Sequence, residues 1–347
     1  MILFFFFSSV NYTLVGNMFR KEMLKKIFHF KLLFEKISTK RLRFYCVLLI
    51  FIYVSLPFRY ASKYEYIPDE EIKYHLMPSR TPGAESCPIV PDLNSDMLPV
   101  NLVTEYDEVD YGNKLNVLSG GAWEPHYCKY VHDVAVIVPY RGRENQLKSF
   151  LHHIHPFLQK QLISYRIFVI EQTYVKNFNR GKLMNIGYVE AMKIHNFHCF
   201  IFHDVDLLPL VELNIYGCTL KPRHLSASIN SWRYKLKYST AFGGVTAMLQ
   251  KHFIQINGFS NLYFGWGGED DDLIERVILN NLGYCRFSPD ISRYYMMHHK
   301  PEVKNPKRLT LLSAAQDRLK TDGINSLEYE VLLSQKKSLY THIVVDV

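Results

Sequence analysis

Between residues 131 and 206 the chain alternates two different hydrophobic periods, and this alternation limits its fold more than any other feature. Residues 134–139 (VAVIVP) form a continuous, largely β-branched apolar run, the pattern of a strand buried on both faces. Residues 143–161 then repeat Leu147, Phe150, Leu151, Ile154, Phe157 and Leu158 at helical spacing. A second strand is predicted at 166–170 (RIFVI), a second helix at 179–195 and a third strand at 199–204 (CFIFHD). Strand and helix in alternation with short connections imply right-handed crossovers and a Rossmann-like α/β fold, a mainly parallel mixed sheet flanked by helices. Ligands of such sheets bind beyond the carboxyl ends of the strands, so residues there are the first candidates for function.

The charge is divided unevenly along the 347 residues. A net +8 suggests nucleic acid, but residues 1–63 hold 11 Lys/Arg and 2 Asp/Glu, leaving 30 bases against 31 acids in the rest. A nucleic-acid channel needs its positive field on the folded domain, so that class is excluded. The basic residues Lys36, Lys40, Arg41 and Arg43 precede an uncharged run, 44–58 (FYCVLLIFIYVSLPF). Its 15 residues are short for a bilayer that asks for about 20, a demand that the thin membranes of the early secretory pathway relax. With the positive-inside rule this predicts a type II signal anchor at 44–58, a cytosolic basic tail at 1–43 and a catalytic part in the lumen. Residues 1–17 (MILFFFF onwards) read as an upstream extension before Met18, and the sequon at Asn11 would stay unmodified on the cytosolic side. Prolines from 68 to 99 suggest a stem over 59–86, with the folded domain at 87–347. Five cysteines follow the anchor and none forms a Cys-x-x-Cys, so zinc and thioredoxin chemistry have no support.

Three strings stand where ligands are expected. After the first strand, Arg141 and Arg143 on a strand–helix turn could hold phosphates bidentately. After the third, Asp204-Val205-Asp206 presents two acids to one crevice edge and could hold a hard divalent cation bridging a diphosphate, although an isolated Asp-x-Asp is more often a cap or turn. Gly265-Trp266-Gly267-Gly268-Glu269-Asp270-Asp271-Asp272 opens a helix. Helix-start acidity accounts for Asp271 and Asp272; the glycines and Trp266 suit a mobile lid over a sugar, with an indole to stack on it and a carboxylate to take a hydroxyl proton.

The strings VAVIVPYRGR, FNRGKLMNIGY, CFIFHDVDLLP, FGGVTA and INGFSNLYFGWGGEDDDL, in that order, resemble the β-1,4-galactosyltransferase family from about Cys87 to the C-terminal THIVVDV. The resemblance implies a GT-A fold, a type II Golgi anchor, Mn²⁺, a UDP-sugar donor (UDP-Gal or UDP-GalNAc) and an acceptor ending in N-acetylglucosamine, with inversion at the anomeric carbon. By the same resemblance Pro139, Tyr140, Arg141, Arg143, Phe178, Arg180, Asp204, Val205, Trp266 and Glu269 contact the donor. Asp270 is the catalytic base, and Gly268, Asp270, Asp271 and Leu309 face the acceptor. Asp206, Met296 and His299 hold the metal, although softness rules would not choose a thioether for a hard cation. Cys87 pairs with Cys128 and Cys199 with Cys218, which leaves Cys285 free.

Departures from the family pattern fall around the substrates. The loop after His299 is shorter than usual, Leu309 replaces an aromatic residue, and Ser231 stands where a donor-site lysine is common. Ala241 occupies the place before Phe242-Gly243-Gly244 where galactose-preferring members carry tyrosine, and opens room beside the sugar's second carbon. The rival readings are a hydrolase with paired carboxylates, a silent lectin-like or adhesion protein of the same fold, and galactosyl transfer to xylose in the proteoglycan linker.

Overall fold

The computed structural model describes residues 39–59, 64–300 and 302–347. Two compact units divide the chain, Met1–Ala61 and Ser62–Val347. In the first, the run 44–58 lies within helix α1, Thr39–Arg59; among the described residues no helix is long and apolar enough to cross a membrane. The N-terminal extension, Asn11 and the basic tail through Lys36 lie outside the described residues.

In the second unit, after two short helical turns at Asp69–Glu71 and Ile72–His75, come α2 (Glu108–Lys114), whose Asp107 carboxylate accepts from the Val109 and Asp110 amides and so caps it, and β1 (Ala122–Trp123). The predicted alternation follows: β2 (Asp133–Tyr140), α3 (Glu144–Lys160), β3 (Ser164–Gln172), α4 (Arg180–Ile194) and β4 (Cys199–His203). Beyond it come β5 (Leu207–Pro209), β6 (Arg223–His224), β7 (Ser228–Ile229), β8 (Val245–Leu249), α5 (Gln250–Gln255), α6 (Glu269–Leu279), β9 (Arg293–Met296), α7 (Arg308–Ser313), β10 (Glu330–Lys336) and β11 (Thr341–Asp346). The main sheet runs β10-β11-β3-β2-β4-β8-β6, with β1 also on β3, and a small sheet runs β5-β9-β7. The centre, β11-β3-β2-β4, is parallel, while β10 and β8 join it antiparallel.

Every residue of β2 is buried. Val134, Val136 and Val138 pack with Phe150, Ile154 and Leu158 of α3 on one face, and Ala135 and Ile137 with Leu183, Met184 and Ile186 of α4 on the other. Each large apolar side chain removed from water this way contributes about 1.5–3 kcal/mol. Pro156 inside α3 has no amide to give the His152 carbonyl, and the Tyr111 hydroxyl donates to that carbonyl instead, at 2.7 Å.

Two findings bear on the expected boundaries. The segment 64–86, expected as stem, is part of the folded unit: Ile67, Ile72 and Leu76 are buried against Ile215, Phe287 and Ile291. Its amides join the body too, Ile67 to Arg286 O at 2.9 Å and Met77 to Cys218 O at 2.8 Å. Turn-forming prolines hid these apolar anchors because they space them irregularly. The disulfides are Cys87–Cys128 and Cys199–Cys218, and Cys285 is free.

Helix α4 sits close to the sheet because Gly187 has no side chain: a Cβ there would collide with Ile137 Cγ2 and stand 3.0 Å from Ile170 Cγ1. We expect Gly187→Ala to destabilise the domain by about 1–3 kcal/mol, as overpacking does. Chemical denaturation of the two proteins measures it, and an unchanged midpoint would contradict the packing described.

Candidate active site

At the carboxyl ends of β2 and β4 lies a cavity of about 720 Å³. Its walls include Pro139 near the end of β2, Arg141 and Arg143 after it, Phe178 and Arg180 at the start of α4, and Asp204, Val205 and Asp206 after β4. Ala241, Trp266, Gly268, Glu269, Asp270, Asp271, Met296, His299 and Leu309 complete the expected set. Tyr140 is the exception: its ring is buried in the core beside α3 and does not line the cavity. Residue 140 points inward because strand alternation places it on the same face as Val138.

Arg180 ties the carboxylates together. Its Nε donates to Asp204 Oδ1 at 2.5 Å and its Nη1 stands 3.8 Å from Glu269 Oε1. Burial works against the guanidinium's charge, but Asp204, Glu269 and Asp270 outweigh it and hold the group protonated. Burial raises the pKa of Asp204, with Arg180 opposing. It also raises Glu269, helped by the charge of Asp270, and Asp270, helped by that of Asp271. Glu269 Oε2 is buried with no hydrogen-bond partner. The space for the Asp270 carboxylate exists because Gly243 lacks a Cβ, which would otherwise run into it.

The four acids opening α6 have separate duties. Asp271 Oδ1 accepts from the Tyr238 hydroxyl at 2.8 Å. Asp272 does more than charge a helix start: it is fully buried and accepts from Arg276 Nε at 2.5 Å, Tyr263 Oη at 3.0 Å and Arg318 Nη2 at 3.2 Å. Asp322 completes a two-arginine, two-aspartate group, with Arg318 Nη1 at 2.6 Å.

The proposed metal ligands converge from remote positions. Antiparallel pairing of β5 with β9 puts Met296 opposite Leu207, next to Asp206. The Met297 amide donates to the Asp206 carbonyl at 2.7 Å, and two residues on, His299 Nε2 lies 2.7 Å from Asp206 Oδ2. Arg143 Nη1 lies 3.2 Å from the same oxygen. Among the described residues no group of three or more His, Cys, Asp or Glu gathers to hold a metal; the third expected ligand, Met296, would offer a thioether. One carboxylate oxygen and one imidazole nitrogen in contact, lining the same cavity as a thioether, could hold a divalent cation.

The lid segment is coupled to the loop after β9. The Trp266 amide donates to Val303 O at 2.8 Å and the Asn305 amide to Trp266 O at 3.0 Å. Gly267 and Gly268 hold φ of 105° and 98°, accessible to glycine, between this bridge and α6. Sequence reasoning missed Tyr238, Glu302 and Arg308, which line the same cavity. Glu302 Oε2 accepts from Arg141 Nη2 at 3.4 Å, and Arg308 lies 5.7 Å from the Trp266 ring. Tyr238 and Glu302 lie in loops and Arg308 opens a helix of only six residues, so none of them carries a periodic signal. Ser231, expected in place of a donor-site lysine, donates to Met296 Sδ at 3.5 Å, while Lys237 lines the cavity.

Residues 87–219 match the family described as the N-terminal region of glycosyl transferase group 7, and residues 223–300 that described as the N-terminal domain of galactosyltransferase. The chain is 44% identical over 296 residues to β-1,4-galactosyltransferase 4 of Cricetulus griseus, covering 82% of this chain and 85% of that protein. It is 41% identical over 235 residues to human β-1,4-galactosyltransferase 1, covering 67% and 59%. Among solved structures, the catalytic domain of Drosophila β1,4-galactosyltransferase 7 in complex with xylobiose aligns with a TM-score of 0.53 and 27% identity, covering 62% of this chain and 93% of that one.

A raised folded-state pKa at Glu269 means that the folded chain binds this proton more tightly than the unfolded chain does. Its ionisation therefore disfavours folding, and this loss develops as pH rises from the ordinary glutamate range towards the raised value. We expect Glu269→Gln to be more stable than the wild type near neutrality, with the difference shrinking towards about pH 4. Melting temperatures of both proteins across that range test this; a pH-independent difference would contradict the assignment.

Proposed function

The chain belongs to the β-1,4-galactosyltransferase family and is a UDP-sugar-dependent glycosyltransferase, and from this premise we propose an inverting displacement with Asp270 as base. The observation that carries the reading is the position of Asp270. It is a carboxylate of raised pKa in one cavity with Arg141, Arg143, Arg180, the Asp-x-Asp pair, Trp266 and Leu309. Arg141 and Arg143 hold the diphosphate. Asp270 takes the proton of the acceptor 4-hydroxyl as that oxygen attacks the anomeric carbon, and the bond to UDP breaks on the opposite face. Trp266 and the loop bridged to it close over the sugars and exclude water. We assign Mn²⁺ to Asp206, Met296 and His299, where it would neutralise charge on the departing diphosphate.

An acceptor ending in N-acetylglucosamine is supported by higher identity to galactosyltransferases 4 and 1 than to the xylobiose-bound enzyme. A hydrolase is disfavoured because Asp204 and Glu269 both pair with Arg180. A silent protein would not need Asp206, His299 and Asp270 around one cavity.

Replacing Asp270 by Asn should leave UDP-sugar binding nearly unchanged and lower turnover by about 10²–10⁴-fold. Calorimetric titration of donor beside steady-state assays measures both, and near-normal turnover would refute Asp270 as base.

For the donor, Ala241 lies on the cavity wall and is buried against Ala227 and Leu236. Phe242 is turned into the core, and Tyr238, its hydroxyl held by Asp271, packs on the same cluster as Ala241, so a tyrosine at 241 would add a second ring to this wall. We therefore expect UDP-GalNAc to be used at least as well as UDP-Gal, and Ala241→Tyr to shift preference to UDP-Gal. Relative kcat/KM for the two donors decides it; a strong wild-type preference for UDP-Gal would overturn the proposal.

We place the catalytic domain in the Golgi lumen on a single-pass type II anchor. Two disulfides support an oxidising compartment, and the basic residues before 44–58 support the orientation. Protease added to sealed Golgi vesicles should spare the domain, and its digestion without detergent would exclude that topology.

A further inference from the structure

Between β7 and β8 the chain turns back on itself beside Met296. Asn230 Oδ1 accepts from the Met296 amide at 2.7 Å and the Ser231 hydroxyl donates to its Sδ at 3.5 Å, so the turn Asn230–Trp232 is fixed at that part of the cavity. Arg233 and Tyr234 follow, both with a left-handed backbone of φ 56°, which residues bearing a Cβ adopt only where their surroundings hold them. Three contacts hold them here. The Tyr234 amide donates to Ile229 O at 2.8 Å, the Ser228 hydroxyl donates to Tyr234 O at 3.0 Å, and Leu236 is buried against Ala227 and Ala241. The reversal brings the Lys237 ammonium over the Trp232 ring, 5.4 Å from its centroid, and both residues line the cavity.

The arginines of the cavity are already matched by acids. Arg141 pairs with Glu302, Arg143 with Asp206, and Arg180 with Asp204 and Glu269, three guanidiniums against four carboxylates. A diphosphate entering there meets no surplus of positive charge from these arginines. Lys237 forms no ion pair with a described residue, and an indole face attracts an ammonium without neutralising it. We propose that Lys237 is a donor-binding residue, whose ammonium pairs with the diphosphate of the UDP-sugar and of the departing UDP. This rests on the placement of the diphosphate beside Arg141 and Arg143 given above. A lysine suits the task because its flexible four-carbon stem lets a compact charge leave the ring and reach a phosphate oxygen. The charge-assisted hydrogen bond formed there is stronger than any that a neutral side chain could offer.

Calorimetric titration of the full chain with UDP in the presence of Mn²⁺ measures the contact. We expect Lys237→Ala to bind UDP about tenfold more weakly than the wild type, and Lys237→Arg, which keeps the charge, to stay within about threefold of it. In steady-state assays the KM for the UDP-sugar should rise with Lys237→Ala while that for the acceptor stays where it was. Uridine, which carries no phosphate, should compete equally well in the wild type and in Lys237→Ala. Unchanged UDP affinity in Lys237→Ala, an equal loss in Lys237→Arg, or a loss shared by uridine overturns the assignment. Arg143→Ala tests the placement of the diphosphate separately. If it too leaves UDP affinity unchanged, that placement falls and the role of Lys237 with it; a loss in Arg143→Ala with none in Lys237→Ala overturns the role of Lys237 alone.

Discussion

The Arg180 guanidinium is the contact on which the site depends. It stands at the first turn of α4, reaches Asp204 after β4 and Glu269 at the start of α6, and so ties three elements at one point. Without it, Asp204, Glu269 and Asp270 would be buried near one another with their chief counter-charge removed, which favours proton uptake or separation. With it, the Asp270 carboxylate, of raised pKa, is held in the same cavity as Arg141, Arg143 and the Asp-x-Asp pair. The same neutralisation leaves Asp206 to its own partners, Arg143 and His299.

One turn further along α6, Asp272 plays the structural counterpart. Its pairing with Arg276, Arg318 and Tyr263 fixes the helix to the segment around residue 320, and a neutral group of two arginines and two aspartates lowers the cost of burying each charge. Adjacent acids thus divide between chemistry and architecture by helical geometry: successive residues turn by about 100°, so Asp270 faces the cavity while Asp272 faces the interior.

The apolar side of the cavity follows from the same helix. Residues four apart from Asp270 share its face, so the helix that presents this carboxylate to the cavity also presents Ile274 and Ile278 to it. The Trp266 segment is hydrogen-bonded to Val303 and Asn305, so the two loops meet at the rim of the cavity.

The central alternation β2-α3-β3-α4-β4 was legible because continuous apolar runs and helical periods are local properties, and the strand ends then marked the site. The ordered motifs identified the family and nearly every cavity residue, with Tyr140 misplaced because contact with a ligand cannot be told from contact with the core by position alone. Only the tertiary structure decided that residues 64–86 belong to the folded body, that Asp272 is a buried ion-pair partner, and that Tyr238, Glu302 and Arg308 line the cavity. It also decided how Met296 and His299 meet Asp206, through antiparallel pairing of β5 and β9 across some 90 residues. The sequence by itself determined what depends on neighbours along the chain: the strands, the helices and the residue types at their ends. Which distant side chains share one buried volume, and with what charge, depends on packing in three dimensions, because desolvation and ion pairing act through space and leave no period in the sequence.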